Sequence, residues 1–278
     1  MRWKGGRRSG NVQDRRGRGG LMVGGGLGAI VITIVALLLG VDPDSVPTTG
    51  MAPADEVAPG NAEQFRGVDD EADFISVVLA DTEDVWNTIF AERGETYREP
   101  QLVLFENAVQ SACGFAQSAV GPFYCPADQQ LYLDLSFFRE LSERFGAPGD
   151  FARAYVVAHE VGHHVQTLLG ISDEVRAAQA RSSQTESNAI QVRMELQADC
   201  LAGVWAHHAQ RQRQVLEPGD IDEALGAAAA IGDDRLQRET QGRVVPDSFT
   251  HGTSAQRVQW FRNGFESGDP DRCDTFGS

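Results

Sequence analysis

The chain is poor in lysine, and its basic charge is concentrated at one end. Seven of its 24 Lys and Arg residues lie within residues 1–20, and no lysine follows Lys4. The rest of the chain carries 17 basic and 39 acidic residues, a net charge of −22. Such a surface repels a phosphate backbone, so this part of the chain is not expected to bind nucleic acid.

One stretch lacks charge altogether. Residues 21–40 (LMVGGGLGAIVITIVALLLG) are twenty uncharged residues, a length that matches the hydrocarbon thickness of a bilayer. The basic run before them and the acids Asp42 and Asp44 after them predict a transmembrane helix, with residues 1–20 as a cytoplasmic tail. A cleaved signal peptide would have a shorter apolar region and a small-x-small cleavage site. The sequence therefore favours an uncleaved anchor, with a peptide cleaved near residue 40 as the alternative.

The apolar residues of 41–68 follow neither the spacing of a helix nor that of a strand. Prolines and glycines recur there among scattered acids: Pro43, Pro47, Gly50, Pro53, Pro59 and Gly60. This composition buries too little apolar surface to offset the entropy of ordering, which predicts a flexible linker. Residues 69–278 have a globular pattern and the size of one domain, which the membrane topology places outside the cytoplasm, in a periplasm or at the cell exterior.

No two of the four cysteines have Cys-x-x-Cys spacing, which argues against a second zinc site made by them. All four follow the apolar run, and the extracytoplasmic side favours disulfides. Four cysteines allow three pairings. We expect Cys113 to pair with Cys125, closing a short loop, and Cys200 to pair with Cys273, holding the C-terminal tail.

The periodicity of the domain predicts a predominantly helical α+β fold with a small sheet. Short apolar runs indicate a strand over 101–106 and a hairpin-like pair over 123–125 and 130–135. Apolar residues at three- and four-residue spacing, bounded by capping residues and glycines, indicate the helices: one or two between 70 and 93, then 137–145, 150–170, a short one from 172, 189–212, 220–231 and 254–264.

The helix predicted over 150–170 contains His159-Glu160-Val161-Gly162-His163. Residues four apart on a helix are turned only about 40° from each other. The imidazoles of His159 and His163 can therefore bind one Zn²⁺, while Glu160 lies where a general base would act on water. This pattern is typical of the active-site helix of a zinc-dependent peptidase.

A catalytic zinc normally takes a third protein ligand. No histidine follows at the position where the extended form of the motif would place one, which excludes that class. Glu195 and Asp199 share one face of the helix predicted over 189–212, in an apolar setting. We expect Glu195 to be the third ligand and Asp199 to accept a hydrogen bond from a ligand imidazole. The alternative is an ordinary acidic helix face.

Four segments together resemble the bacterial putative neutral zinc metallopeptidase family. They are residues 121–126 (GPFYCP), 158–166 (AHEVGHHVQ), 195–200 (ELQADC) and 250–257 (THGTSAQR). The similarity covers most of residues 69–278 and includes the N-terminal membrane anchor. It implies a zincin-type metalloprotease domain, and with Glu195 as a ligand the arrangement is that of a gluzincin.

Peptide hydrolysis also needs a hydrogen-bond donor for the oxyanion and a surface for the substrate. His251 is the favoured donor because it lies in a glycine-bounded loop, where a histidine gains little structurally. The other candidates are Tyr155, His164, His207 and His208, of which the last two are expected to pack or to lie at the surface. Residues 129–135 are the candidate edge strand for pairing with a substrate backbone.

The sequence thus predicts a membrane-anchored zinc metalloendopeptidase acting on peptides or proteins, with Glu160 as general base. A non-catalytic zinc-binding scaffold in a cell-envelope complex is the alternative. Such a scaffold needs ligands but no general base, so Glu160 favours the enzyme.

Overall fold

The computed structural model describes residues 1–16, 70–117 and 121–277. The predominantly helical α+β fold with small sheets is confirmed. The α-helices of these residues are α1 (Asp70–Glu92), α2 (Ser136–Glu143), α3 (Asp150–Leu168), α4 (Ile171–Gln179), α5 (Gln184–Arg213), α6 (Asp220–Ala230), α7 (Asp233–Gln241) and α8 (Ser254–Ser267). Two 3-10 turns follow at Pro246–Ser248 and Pro270–Cys273.

Helix α5 begins earlier than its apolar pattern predicts. The Ser183 side chain accepts from the backbone N–H of Glu186, and the Glu186 side chain accepts from the backbone N–H of Ser183. This capping box satisfies two amides that the first turn leaves without helical partners. Residues 184–188, which precede the helix predicted over 189–212, therefore form the start of α5.

The strands form one sheet of four and one hairpin. They are β1 (Val12–Asp14), β2 (Gln101–Phe105), β3 (Ala108–Ser111), β4 (Gly114–Gln117), β5 (Phe123–Cys125) and β6 (Gln130–Asp134). The larger sheet has the order β1-β2-β6-β5, in which only β5 is antiparallel to its neighbour. The prediction that residues 129–135 form the sheet edge is wrong, because β6 is paired on both sides. Among the described strands, the two edges of this sheet are β1 and β5.

The first sixteen residues differ from the separate tail that the sequence predicts. Met1–Arg16 belong to the same compact unit as Asp69–Ser278, and β1 pairs in parallel with β2, Val12 opposite Leu102. Two of the basic residues face acids of α1: Arg7 Nη2 lies 2.8 Å from Glu83 Oε2, and Arg8 pairs with Asp73. They therefore offset part of the negative charge of α1.

The predicted transmembrane helix over 21–40 and the linker over 41–68 lie outside the described residues and stay predictions. No helix of the described ranges has the length and apolar character needed to cross a bilayer. The pairing of β1 with β2 has one consequence for topology. Both strands must lie on the same side of any membrane, whereas a single crossing by residues 21–40 would place them on opposite sides.

Helix α3 lies in the main core, packed against α1, α5 and α6 and against β5 and β6. A Cβ at Gly162 would lie 3.0 Å from the carbonyl oxygen of Ala198, so glycine permits the close approach of α3 to α5. At the crossing of α5 with α8, a Cβ at Gly264 would lie 1.9 Å from the carbonyl oxygen of Cys200, which no side chain tolerates. These two contacts set the spacing of the three helices.

Both expected disulfides are present. The S–S distances are 2.03 Å for Cys113–Cys125 and 2.06 Å for Cys200–Cys273. The first links the β3–β4 hairpin to β5, and the second links the 3-10 turn Pro270–Cys273 to α5. No cysteine of the described residues is free to form the alternative zinc site.

Candidate metal centre

Three ligand side chains converge where α3 crosses α5. Glu195 Oε2 lies 3.2 Å from His159 Nε2 and 3.5 Å from His163 Nε2, and the ligand atoms of the three residues all lie within 4.8 Å of one another. His159 and Glu195 are each 7 % exposed. Burial alone would raise the pKa of Glu195, but the two imidazoles bring it well below its usual value. The structure thus collects the three residues that the sequence predicts as ligands.

His159 is backed by a buried charged network. Its Nδ1 lies 2.9 Å from Asp199 Oδ1, and the Tyr155 hydroxyl donates to the same oxygen at 2.5 Å. Arg257 donates to both carboxylate oxygens, from Nε at 2.8 Å and from Nη2 at 3.0 Å. Burial would raise the pKa of Asp199, but Arg257 and His159 bring it to about 2. Asp199 is therefore an ionised acceptor for the imidazole.

Sequence reasoning missed Arg257 as part of this network. It lies on α8 and is only 1 % exposed, and in the sequence it belongs to the segment 250–257 that carries part of the family resemblance. A fully buried arginine requires an acid partner, but the sequence gives no indication of which acid it meets 58 residues away in the chain.

Glu160 lies beside the ligands at the wall of an open cleft of about 620 Å³. His159, His163 and Glu195 also line this cleft, whereas Glu160 is only half-buried. A carboxylate with solvent access beside a buried ligand set can exchange protons with a bound water or substrate. The structure therefore places Glu160 where a general base can act.

His251 lines the same cleft, at the loop before α8. Its Nδ1 lies 3.0 Å from Thr250 Oγ1 and 3.4 Å from Asp233 Oδ1. Asp233 Oδ2 accepts from three successive backbone N–H groups, those of Thr250, His251 and Gly252, at 2.7, 2.6 and 2.9 Å. Asp233, which opens α7, thus fixes the loop that carries His251.

The other candidate donors are already hydrogen-bonded elsewhere. His164 is buried between the Tyr124 hydroxyl (3.1 Å) and the carbonyl oxygen of Arg98 (2.6 Å). His207 and His208 pair with the carbonyl oxygens of Phe265 and Gly268, and Tyr155 donates to Asp199. His251 is half-exposed, which leaves it accessible to a substrate.

The comparisons with known proteins agree with this geometry. The family described as putative neutral zinc metallopeptidase matches residues 1–276. The chain belongs to this family. It is 52 % identical to the uncharacterized protein YpfJ of Escherichia coli (strain K12), over 100 % of this chain and 99 % of that protein. It is 45 % identical to the uncharacterized protein Rv2575 of Mycobacterium tuberculosis (strain H37Rv), over 87 % of this chain and 85 % of that protein. No solved structure matches the chain.

The residues present are suited to bind the zinc ion that the family description implies. Two imidazoles and one carboxylate are a ligand set found in catalytic zinc sites, with a fourth position left open. In this member of the zinc metallopeptidase family, the Nδ1 atoms of both histidines are hydrogen-bonded to other residues, His159 to Asp199 and His163 to Gln166. The Nε2 atoms face Glu195, so the donor atoms point to one place.

Proposed function

We propose that the protein is a zinc metalloendopeptidase in which His159, His163 and Glu195 hold the metal and Glu160 is the general base. The convergence of the three ligands at the cleft, with half-buried Glu160 beside them, is the observation that supports this most strongly. When bound, zinc polarises the substrate carbonyl and makes the attacking water more acidic. Glu160 accepts the proton from this water and donates it to the leaving amine.

His251 would stabilise the oxyanion that forms on the substrate carbonyl. In its protonated form it can donate from Nε2, because Nδ1 lies against Thr250 and Asp233. Asp233 is ionised, since its backbone and His251 hydrogen bonds bring its pKa below the usual value despite burial. A donor held by a fixed loop needs little reorganisation during the reaction.

The substrate backbone would pair with β5. This strand has β6 on one side and no strand of the described residues on the other, and its residues Phe123 and Tyr124 line the cleft. An extended peptide can therefore add to the sheet edge beside the ligands. Strand β5 thus takes the role that was predicted for residues 129–135.

We also propose that the domain, with β1 as part of it, works outside the cytoplasm and is attached to a membrane through residues 21–40 without a single crossing by them. The two disulfides support the compartment, because such bonds persist in oxidising surroundings. The uncharged run supports the attachment.

The test of catalysis compares the full chain with a Glu160→Gln variant on a degenerate peptide library. The full chain is needed because β1 belongs to the sheet. Loss of a general base is expected to lower kcat/KM about 10²–10⁴-fold, with zinc content unchanged. A Glu174→Gln variant, at an exposed position on α4, is the control and should cleave normally. Equal cleavage by wild type and Glu160→Gln, or no cleavage by zinc-loaded wild type, would refute the peptidase.

A further inference from the structure

His163, the second histidine of the proposed zinc site, is hydrogen-bonded to an amide side chain and not to a charged one. His163 Nδ1 lies 2.8 Å from Gln166 Oε1, one turn further along α3. Gln166 is completely buried, and its Nε2 donates to the carbonyl oxygen of Met194 at 2.8 Å and to Gln197 Oε1 at 2.9 Å. Both amide hydrogens thus have acceptors on α5. The Gln166 amide cannot rotate by half a turn without losing both bonds, so its oxygen must face His163.

A second amide continues the chain of hydrogen bonds. Gln197 accepts from Gln166 through Oε1 and donates through Nε2 to the carbonyl oxygen of Cys273 at 3.0 Å. A backbone carbonyl can only accept, so the chain has one direction from His163 to Cys273. Cys273 is buried and bonded to Cys200 on α5, which holds this last acceptor in place.

The direction of these hydrogen bonds determines the tautomer of the His163 imidazole. A neutral histidine has one nitrogen that donates and one that accepts. Because Gln166 presents an oxygen, Nδ1 of His163 must carry the hydrogen. Nε2 then keeps its lone pair and faces Glu195, where the ligand atoms converge.

We propose that Gln166 is a positioning residue for His163, and that the amide chain through Gln197 to the Cys273 carbonyl fixes which imidazole nitrogen binds the metal. This rests on the proposed zinc site. Hydrogen-bonding partners of this kind orient a metal-binding histidine and set its tautomer.

The use of amides is consistent with the charge of the surroundings. Glu195 and Asp199 are two buried carboxylates, and Arg257 is the buried cation that contacts Asp199. A third buried carboxylate at position 166 would face the carbonyl oxygen of Met194 and Gln197 Oε1 without a cation. An amide gives His163 the acceptor it needs at no cost in buried charge.

Two variants of the full chain, Gln166→Met and Gln166→Glu, separate positioning from packing. Glutamate keeps an oxygen for His163 but sets a carboxylate against two acceptors. Methionine removes the oxygen and fits the space without a charge. Thermal unfolding of the zinc-free proteins should therefore show the greater loss of stability in Gln166→Glu. Zinc affinity, measured by competition with a chromophoric chelator, should show the opposite order.

We expect Gln166→Met to weaken zinc binding about 10–100-fold and Gln166→Glu to stay close to wild type. A Gln210→Met variant is the matched control, since it removes a glutamine hydrogen bond from α5 at Leu216 without contacting the ligands. Its zinc affinity should equal that of wild type. In zinc-loaded wild type, ¹H–¹⁵N spectra of the histidine rings should show the His163 proton on Nδ1.

The proposal is overturned if Gln166→Met binds zinc as tightly as wild type, if zinc affinity falls in the same order as zinc-free stability, or if the His163 proton is on Nε2. A wild-type protein that binds no zinc would overturn the proposed metal site and this inference with it. Tight zinc binding by wild type together with an unaffected Gln166→Met variant would overturn the inference alone.

Discussion

Replacing Arg257 by Met is expected to destabilise the zinc-free domain by about 3–5 kcal/mol, the usual cost of removing one partner from a buried ion pair. The structure supports this magnitude. Arg257 and Asp199 are 1 % and 0 % exposed, and two N–H groups of the guanidinium reach the two carboxylate oxygens at 2.8 and 3.0 Å. With charge centres about 4 Å apart and an effective dielectric constant of about 20, the attraction is about 4 kcal/mol. The two values agree.

The assay is urea unfolding of the full chain in the presence of a metal chelator, so that zinc binding does not mask the change. Arg262→Met, at an exposed position on the same helix, is the control and should change the free energy of unfolding by less than about 0.5 kcal/mol. A further Asp199→Asn substitution removes the unpaired carboxylate. The double variant should therefore recover at least about 1 kcal/mol relative to Arg257→Met alone.

The proposed role of this ion pair is refuted if Arg257→Met costs less than about 1 kcal/mol, which would mean that water or another group compensates Asp199. It is also refuted if the double variant is no more stable than Arg257→Met. The second result would show that Arg257 contributes through packing of its side chain and not through its charge.

Three further predictions concern the frame around the site. Cys200→Ser removes a disulfide that closes a loop of 73 residues and should lower the free energy of unfolding by about 4 kcal/mol. Cys113→Ser removes one that closes a loop of 12 residues and should lower it by about 3 kcal/mol. Unfolding midpoints in the reverse order would contradict this. Burial lowers the pKa of His164 from 6.5 to about 4. As the pH falls, His164 is therefore protonated in the unfolded chain before it is protonated in the folded one. The free energy of unfolding should drop by up to about 3 kcal/mol between pH 6.5 and 4, and His164→Gln should remove that part of the pH dependence; an unchanged slope would count against it. An amine-reactive label that cannot cross membranes should reach Lys4, the last lysine of the chain, from the same side on which an added protease cleaves the domain. Access from opposite sides would disprove the β1–β2 pairing in the membrane-bound protein.

The helix that carries the metal motif is predictable because its information is local. Apolar residues at helical spacing place α3, and the spacing of His159, Glu160 and His163 sets which side chains share a face. The start of α5 has an equally local signal, the Ser183-x-x-Glu186 capping box, which the apolar period alone does not register.

Strand β1 has no comparable signal. It is three residues long, Val12–Asp14, within a basic segment that precedes a long apolar run. Among the strands of the described residues it pairs with β2, about ninety residues later, so neither alternation nor a turn indicates it. The charge pattern fits a cytoplasmic tail equally well, because Arg7 and Arg8 look the same in sequence whether they face solvent or acids of α1.

The three candidate ligands alone do not fix the orientation of the side chains at the site. The hydrogen bonds behind both histidines lead to the C-terminal part of the chain, His159 through Asp199 to Arg257 on α8, and His163 through two amides to the Cys273 carbonyl. Helix α8 reaches α5 closely enough to supply Arg257 because Gly264 leaves no side chain at their crossing. The C-terminal segment therefore acts on the candidate metal centre without supplying one of the three proposed ligands, by fixing the orientation of side chains that α3 alone would leave free to rotate.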